Sequence, residues 1–188
     1  MKKILFIAYN QYADFEVAHT LFYARKVGKY EIVTATLLGE KVTSLGGLIT
    51  YPQIKFEEVD VRGYDLVLIS GGDGVHELLD EQSLVVLLQN AYSLKVPIAA
   101  ICASAAFLGK AGLLKGKSFT CLPNTVESFQ DAFLDANYTG EPIHVSDGLI
   151  TAKGTAFAEF TVAVGEMLNM WRNEEQKENT LKFCKGLV

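Results

Sequence analysis

Short apolar runs of strand length alternate with helix-length segments along this chain, and this alternation restricts the fold more than any other sequence feature. Residues 4–8, 66–69 and 97–101 are almost entirely apolar. A strand without alternating polar positions is typical of a sheet that is buried on both faces. Strands separated by helices predict a mostly parallel sheet with helices on both faces, an α/β fold.

Capping residues and turns set the predicted bounds of the other elements. Asp14 begins a predicted helix over residues 15–27 that Gly28 ends, and Asp80 begins one over 81–94. The remaining predictions are strands over 30–37 and 118–121, hairpins over 41–51 and 143–152, and helices over 103–111, 157–171 and 174–185. The second hairpin contains an Asp-Gly pair, which is typical of a type I′ turn.

Composition excludes several classes of protein. The 188 residues, 49% of them hydrophobic, predict a single domain over residues 1–188. No apolar run approaches the ~20 residues of a membrane span, and the apolar amino terminus is only long enough for a strand. A net charge of −5 without a basic cluster argues against nucleic acid and anionic membranes as partners. Three widely spaced cysteines predict neither disulfides nor a metal site, and favour a cytoplasmic location.

Three loops are candidates for the functional site. In a parallel α/β sheet, sites lie beyond the carboxyl ends of the strands. The loops over residues 10–15 and 70–75, and the turn at Cys102, all occupy such positions.

Cys102 lies between a buried strand and a helix of small residues, which predicts a nucleophile elbow. Free backbone N–H groups and the positive end of the helix stabilise a thiolate there. We therefore expect the thiol pKa to fall from ~8.5 to ~6.5, about 2.7 kcal/mol in favour of the thiolate. The alternative is that Cys102 is a small buried apolar residue.

The other two loops offer partners for this thiol. Gly71 and Gly72, with the amide of Ala103, can form an oxyanion hole, although a tight turn that needs glycine explains the pair equally well. Glu16 can reach the thiol as a protonated carboxyl that donates a hydrogen bond and moves a proton. Alternatively, Glu16 and the neighbouring Asp14 cap their own helix.

The three loops, together with residues 150–160, resemble the ThiJ/PfpI superfamily and in particular its DJ-one branch. The most specific segments are the acidic helix start ending in Glu16, the Ser-Gly-Gly loop, Ala-Ile-Cys102-Ala-Ser, and residues 147–155. The resemblance covers nearly the whole chain. It implies a flavodoxin-like three-layer sandwich and a homodimer. It also implies that Cys102 is the nucleophile, Glu16 its carboxyl partner, and Gly72 and Ala103 the oxyanion donors.

The chain departs from this resemblance at one position. Leu122 stands where many relatives have a histidine, so a Cys-His-acid triad of the peptidase type is not predicted. His76 follows the glycine loop and is a possible accessory residue, as is Asp14, whereas His19 and His144 are predicted to be structural. Cys121 and Cys184 lie elsewhere; Cys121 is either buried in a strand or able to resolve an oxidised Cys102.

Three functions follow as hypotheses. The first is a cofactor-free glyoxalase or deglycase, in which Cys102 adds to a small 2-oxoaldehyde and Glu16 moves the proton. The second is a non-enzymatic oxidative-stress sensor or redox-regulated chaperone that uses the same thiol. The third is a phosphate-binding loop of the kinase type at residues 71–74, although Val75 replaces the threonine usual there.

Overall fold

A seven-stranded sheet forms the centre of the structure, a computed structural model that describes residues 2–187. The strands are β1 (Lys3–Ile7), β2 (Glu31–Thr36), β3 (Val42–Thr43), β4 (Ile49–Thr50), β5 (Ile54–Lys55), β6 (Leu66–Ile69), β7 (Ile98–Ile101), β8 (Ser118–Phe119), β9 (Asn137–Tyr138), β10 (Ile143–Ser146) and β11 (Leu149–Ala152). The order in the central sheet is β10-β11-β7-β6-β1-β2-β5, and every pair except β10–β11 is parallel.

Two groups of helices complete the three-layer sandwich. The helices are α1 (Asp14–Lys26), α2 (Val75–Leu78), α3 (Gln82–Ser93), α4 (Ala105–Lys110), α5 (Pro123–Ser128), α6 (Phe157–Met167) and α7 (Glu174–Cys184). α1 packs against α6 and α6 against α7, while α3 packs against α4. Strands β6 and β7 are buried along their whole length, as their apolar runs predict, and β11 is buried as well. Within residues 2–187, none of the helices has both the length and the apolar character of a membrane span.

The topology explains why the candidate loops meet. β1 is followed by its neighbour on one side, β2, whereas β6 and β7 continue the sheet on the other side. The side of the sheet on which successive strands are added therefore changes at β1. A crevice forms there, at the carboxyl ends of the flanking strands. The loops that follow β1, β6 and β7 all open into this region, and so does the loop after β11, which pairs with β7.

The predicted fold class is confirmed, with differences at individual elements. The Asp147-Gly148 turn has positive φ at both residues, 50° and 77°, as a type I′ turn requires. The hairpin predicted over 41–51 forms as β3–β4, but in a separate two-stranded sheet. The strand predicted over 118–121 was wrong in length, because only β8 forms and it pairs with β9 outside the central sheet. The next N–H, of Thr120, donates to the Thr151 hydroxyl at 3.0 Å instead of to a backbone carbonyl of a neighbouring strand.

The predicted helix caps at Asp14 and Asp80 were wrong. Asp14 is the first residue of α1, and its carboxylate accepts a hydrogen bond from the Ser44 hydroxyl at 2.8 Å. Asp80 lies before the N-cap of α3, Glu81, and pairs with Lys110. In both cases a long-range polar partner takes the carboxylate that a cap would have used.

Candidate active site

Cys102 lies at a sharp turn between β7 and α4. It is the first residue of the 3-10 turn Cys102–Ser104, and its φ of 61° is in the left-handed region. A non-glycine residue in this conformation is strained by ~1–2 kcal/mol. The turn is held from below, because the buried Ser104 hydroxyl donates to the carbonyls of Ile101 at 2.7 Å and Ile69 at 3.2 Å. This is the geometry of a nucleophile elbow, which lifts one side chain above the sheet.

Glu16 faces this thiol from the first turns of α1. Its side chain is only 3% exposed. Carboxyl oxygen Oε2 accepts a hydrogen bond from the Gly71 N–H at 2.8 Å and a longer one from the Ser70 hydroxyl at 3.4 Å. The Cys102 side chain lies beside this carboxyl, and its hydrogen-bonding interaction opposes part of the rise in the pKa of Glu16. The structure therefore brings the two predicted partners into direct contact.

Two glycines enclose the Cys102–Glu16 pair. A Cβ atom at Gly71 would lie 2.6 Å from the Cys102 Cβ and 2.7 Å from Glu16 Oε2. One at Gly154 would lie 2.6 Å from Glu16 Oε1 and 2.9 Å from the Cys102 sulfur. Neither position has room for a side chain, since real Cβ atoms do not approach other atoms so closely.

Gly154 is the site residue that sequence reasoning missed. It belongs to a segment that carries the family resemblance, yet it received no role. Its position could have been inferred, because a glycine directly after β11 follows the strand next to β7 and shares the carboxyl edge with Cys102. A glycine at such an edge is typical of a close approach between backbone and site.

Replacing Gly154 with alanine is expected to lower the site's activity about 10- to 100-fold while the protein stays folded. The new methyl group displaces the ends of two flexible side chains rather than backbone, and misplacement of reacting groups by about 1 Å costs roughly this much. Steady-state kinetics and thermal unfolding measure the two effects. Gly63→Ala is the matched control, because no atom of the described part of the chain lies within 4 Å of a Cβ there. Equal activity of the two variants would contradict the placement of Gly154.

Tyr9 is a second residue that the sequence did not single out. Its buried hydroxyl donates to the Ser70 carbonyl at 2.7 Å, which fixes the loop that carries Gly71. Burial raises its pKa well above the ordinary value, and the charges of Glu16 and Cys102 add to this effect. Tyr9 therefore stays a neutral hydrogen-bond donor beneath the site.

The protonation of the pair differs from the prediction. The pKa of Cys102 is raised from 9.0 to about 12, mainly by burial and then by the charge and hydrogen bonding of the neighbouring Glu16, and the Ala103 N–H opposes this rise only in part. Burial also raises the pKa of Glu16 from 4.5 to about 7. The expected low-pKa thiolate was wrong, because desolvation and an adjacent carboxylate outweigh a helix that begins only at Ala105. At neutral pH the sulfur carries a proton, and Glu16 is the group that can accept it.

The predicted oxyanion donors divide into two groups. The Gly71 N–H is engaged by Glu16, so it is not free to bind substrate, and its predicted role was wrong. The Gly72 N–H donates to no other group of residues 2–187, and the Ala103 N–H points at the Cys102 sulfur. Gly72 needs glycine, since its φ is 132° and a Cβ would collide with the Gln11 carbonyl.

The same glycine loop is poorly suited to bind phosphate. Its Gly71 N–H already donates to the Glu16 carboxylate, and this negative charge would repel a phosphate. The contact therefore argues against the kinase hypothesis.

Of the two accessory candidates, His76 shares a cavity with the proposed oxyanion donors and Asp14 does not. Asp14 holds the β3–β4 hairpin through Ser44 and makes no hydrogen bond to Cys102 or Glu16. His76 lies on α2, exposed, with its ring 4.5 Å from that of Phe129. It makes no hydrogen bond to Cys102, but it lines the same cavity as Gly72 and Ala103.

The other histidines and cysteines do not belong to the Cys102–Glu16 pair. His19 packs between the rings of Phe157 and Phe183, and Leu122 precedes α5. Cys121 is fully buried and all three cysteines are free. Within residues 2–187, no cluster of three or more His, Cys, Asp or Glu side chains is arranged to hold a metal ion.

The model of the DJ-1/PfpI family matches residues 2–167. The chain belongs to the DJ-1/PfpI family. Among its relatives is the uncharacterized protease YdeA of Bacillus subtilis, 32% identical over 172 residues, with 90% of this chain and 84% of the relative covered. Another family member, deglycase PH1704 of Pyrococcus horikoshii, is 23% identical over 130 residues, with 69% and 78% covered. The crystal structure of the DJ-1 superfamily protein Atu0886 from Agrobacterium tumefaciens matches with a TM-score of 0.87 at 27% identity, and both chains are covered completely.

Proposed function

We propose that this protein converts small 2-oxoaldehydes into 2-hydroxy acids through Cys102 and Glu16, without a cofactor. The observation that carries the proposal is the buried Glu16 carboxyl in contact with the Cys102 thiol, with its pKa raised to about 7. A carboxylate with a pKa near ambient pH is well suited to take and return protons. Family membership supports the same kind of chemistry, since several relatives are named deglycases.

The first step forms a carbon–sulfur bond. Glu16 takes the thiol proton as the Cys102 sulfur attacks the aldehyde carbon of the substrate. Negative charge then develops on the aldehyde oxygen, within reach of the N–H groups of Gly72 and Ala103. Glu16 returns its proton to that oxygen, and the product is a hemithioacetal.

The next steps move a hydrogen from one carbon to the other. The Glu16 carboxylate removes the proton from the former aldehyde carbon, which gives an enediolate, and then returns that proton to the neighbouring carbon, while the hydroxyl proton of the former aldehyde carbon moves to the neighbouring oxygen. The aldehyde carbon is thereby oxidised to a thioester and the ketone carbon is reduced to an alcohol. Water then cleaves the thioester, which releases the 2-hydroxy acid and restores the thiol. The sum is one 2-oxoaldehyde plus water giving one 2-hydroxy acid, with no external oxidant or reductant.

Two alternatives have weaker support. Some relatives are named uncharacterized proteases, but within residues 2–187 none of the three histidines hydrogen-bonds Cys102, and peptide cleavage needs an acid for the leaving amine. A peroxide sensor requires a thiolate at neutral pH, and the raised pKa of Cys102 works against this. The carbonyl reaction avoids the problem because Glu16 accepts the proton during the attack.

The test is to follow methylglyoxal by proton NMR with the purified protein, in buffer without thiols or nicotinamides. We expect lactate to accumulate in large molar excess over protein. Cys184→Ala, which removes a thiol at the end of α7, should leave the rate unchanged. Lactate at or below one equivalent per chain would contradict the proposed turnover.

A further inference from the structure

A cavity of about 320 Å³ lies beside Gly72 and Ala103, the two remaining candidates for oxyanion donors. Gly72 and Ala103 line it, together with His76, Thr125 and Phe129. The cavity is therefore continuous with the place where the aldehyde oxygen of a substrate would bind. The substituent of a substrate bound at Cys102 can extend into this cavity.

The size of the cavity does not match methylglyoxal. Ligand pockets of ~300–1,000 Å³ suit molecules much larger than a three-carbon aldehyde. The substituent of methylglyoxal is a methyl group, which would leave most of the cavity to water. The space fits a substituent about as large as a ring.

The wall of the cavity offers a flat aromatic contact. The His76 and Phe129 rings are 4.5 Å apart at 35°, and Phe129 is only 8% exposed, so it is fixed in place while His76 faces the opening. Planar rings stack favourably on such a surface. Three polar residues of α5 also line the cavity: Asn124, the buried Thr125 and Ser128.

Charge restricts the substituent further. Asp73 lines the cavity, and among residues 2–187 no lysine or arginine does. An anionic substituent would meet this carboxylate without a compensating cation, whereas a neutral one would not.

We propose that this cavity binds the substituent of the substrate, and that the preferred substrates are 2-oxoaldehydes with a neutral, planar aromatic substituent. The inference rests on the proposed function, because the reacting group is placed at Cys102. His76 and Phe129 act here as residues that determine specificity, and neither takes part in the proton transfers.

The experiment compares kcat/KM for phenylglyoxal, methylglyoxal and 4-carboxyphenylglyoxal, from initial rates of 2-hydroxy acid formation. We expect phenylglyoxal to exceed methylglyoxal at least tenfold and the carboxylated analogue to fall at least fivefold below phenylglyoxal. His76→Ala should lower the ratio of phenylglyoxal to methylglyoxal about two- to tenfold, and Phe129→Leu should have a similar effect. Because Phe129 is buried, the exposed His76 provides the test that does not depend on refolding.

His144→Ala, on edge strand β10, is the matched control and should keep the parent's ratio. Turnover of methylglyoxal with no preference for phenylglyoxal, or a preference that His76→Ala leaves unchanged, would overturn the inference and leave the proposed function intact. Absence of turnover with all three aldehydes would overturn both.

Discussion

Replacing Cys102 with serine is expected to lower kcat/KM for methylglyoxal by about 10³-fold or more, to the level of Cys102→Ala. The mechanism needs a nucleophile whose proton a carboxylate of pKa about 7 can accept. A serine hydroxyl is a much weaker acid and nucleophile than a thiol, and losses of this size are usual when the nucleophile is removed. The measurement is the initial rate of lactate formation at pH 7.5.

Cys121→Ser and Cys184→Ser are the matched controls, since both make the same replacement at buried thiols outside the pair. Thermal unfolding of each variant shows whether a loss of rate reflects the site or the fold. Retention of a tenth of the parent's activity in Cys102→Ser would exclude the sulfur as the nucleophile.

Replacing Glu16 with glutamine is expected to lower kcat about 10²- to 10³-fold, because the amide cannot accept the thiol proton. Glu16 acts as a base only when it is ionised. The parent's kcat/KM should therefore rise with pH through about 7 and then level off, whereas the residual activity of the variant should show no such step. A pH–rate profile of both proteins between pH 5 and 9 measures this. The same step near pH 7 in the variant would assign it to another group.

The same substitution is expected to change how stability depends on pH. The Glu16 pKa is raised from 4.5 to about 7 by burial, so the folded state holds the proton more tightly than the unfolded state. The protonated Glu16 carboxyl therefore contributes ~3 kcal/mol to the free energy of unfolding. This contribution is fully present below pH 4.5 and is lost as the pH rises through 7. Glu16→Gln removes this loss. Urea unfolding at pH 5 and pH 8 should therefore show the variant gaining stability relative to the parent at the higher pH, and parallel curves for the two proteins would contradict the buried-carboxyl assignment.

The central sheet was predictable because its strands are short, apolar and bounded by clear turn residues. Residues 66–69 form β6 without any change of bounds, and the Asp147-Gly148 turn follows directly from its sequence. The β8–β9 sheet was harder to predict, because both strands are two residues long and each depends on a partner distant in sequence. The helix caps failed for a similar reason, since Ser44 competes for Asp14 from 30 residues away.

The sequence anticipated that Cys102 and Glu16 lie together, but it did not anticipate their electrostatics. The topology places their loops at one edge of the sheet, and the family resemblance, rather than the topology, favoured this pairing over a helix cap at Glu16. The raised pKa of Cys102 could not be predicted from the sequence, because it depends on how completely the surrounding backbone and Glu16 exclude water from the sulfur. The role of Gly154 likewise depends on a contact of a few ångströms that only coordinates reveal.

The left-handed backbone at Cys102 has a consequence for how this chain can change over time. Glycine is the residue that this φ of 61° suits best, so a mutation from cysteine to glycine would relax the turn and make the fold more robust. Among the possible replacements, glycine is the one that relieves this strain, and it does so by removing the sulfur. A lineage keeps the cysteine only as long as selection for its chemistry exceeds that advantage.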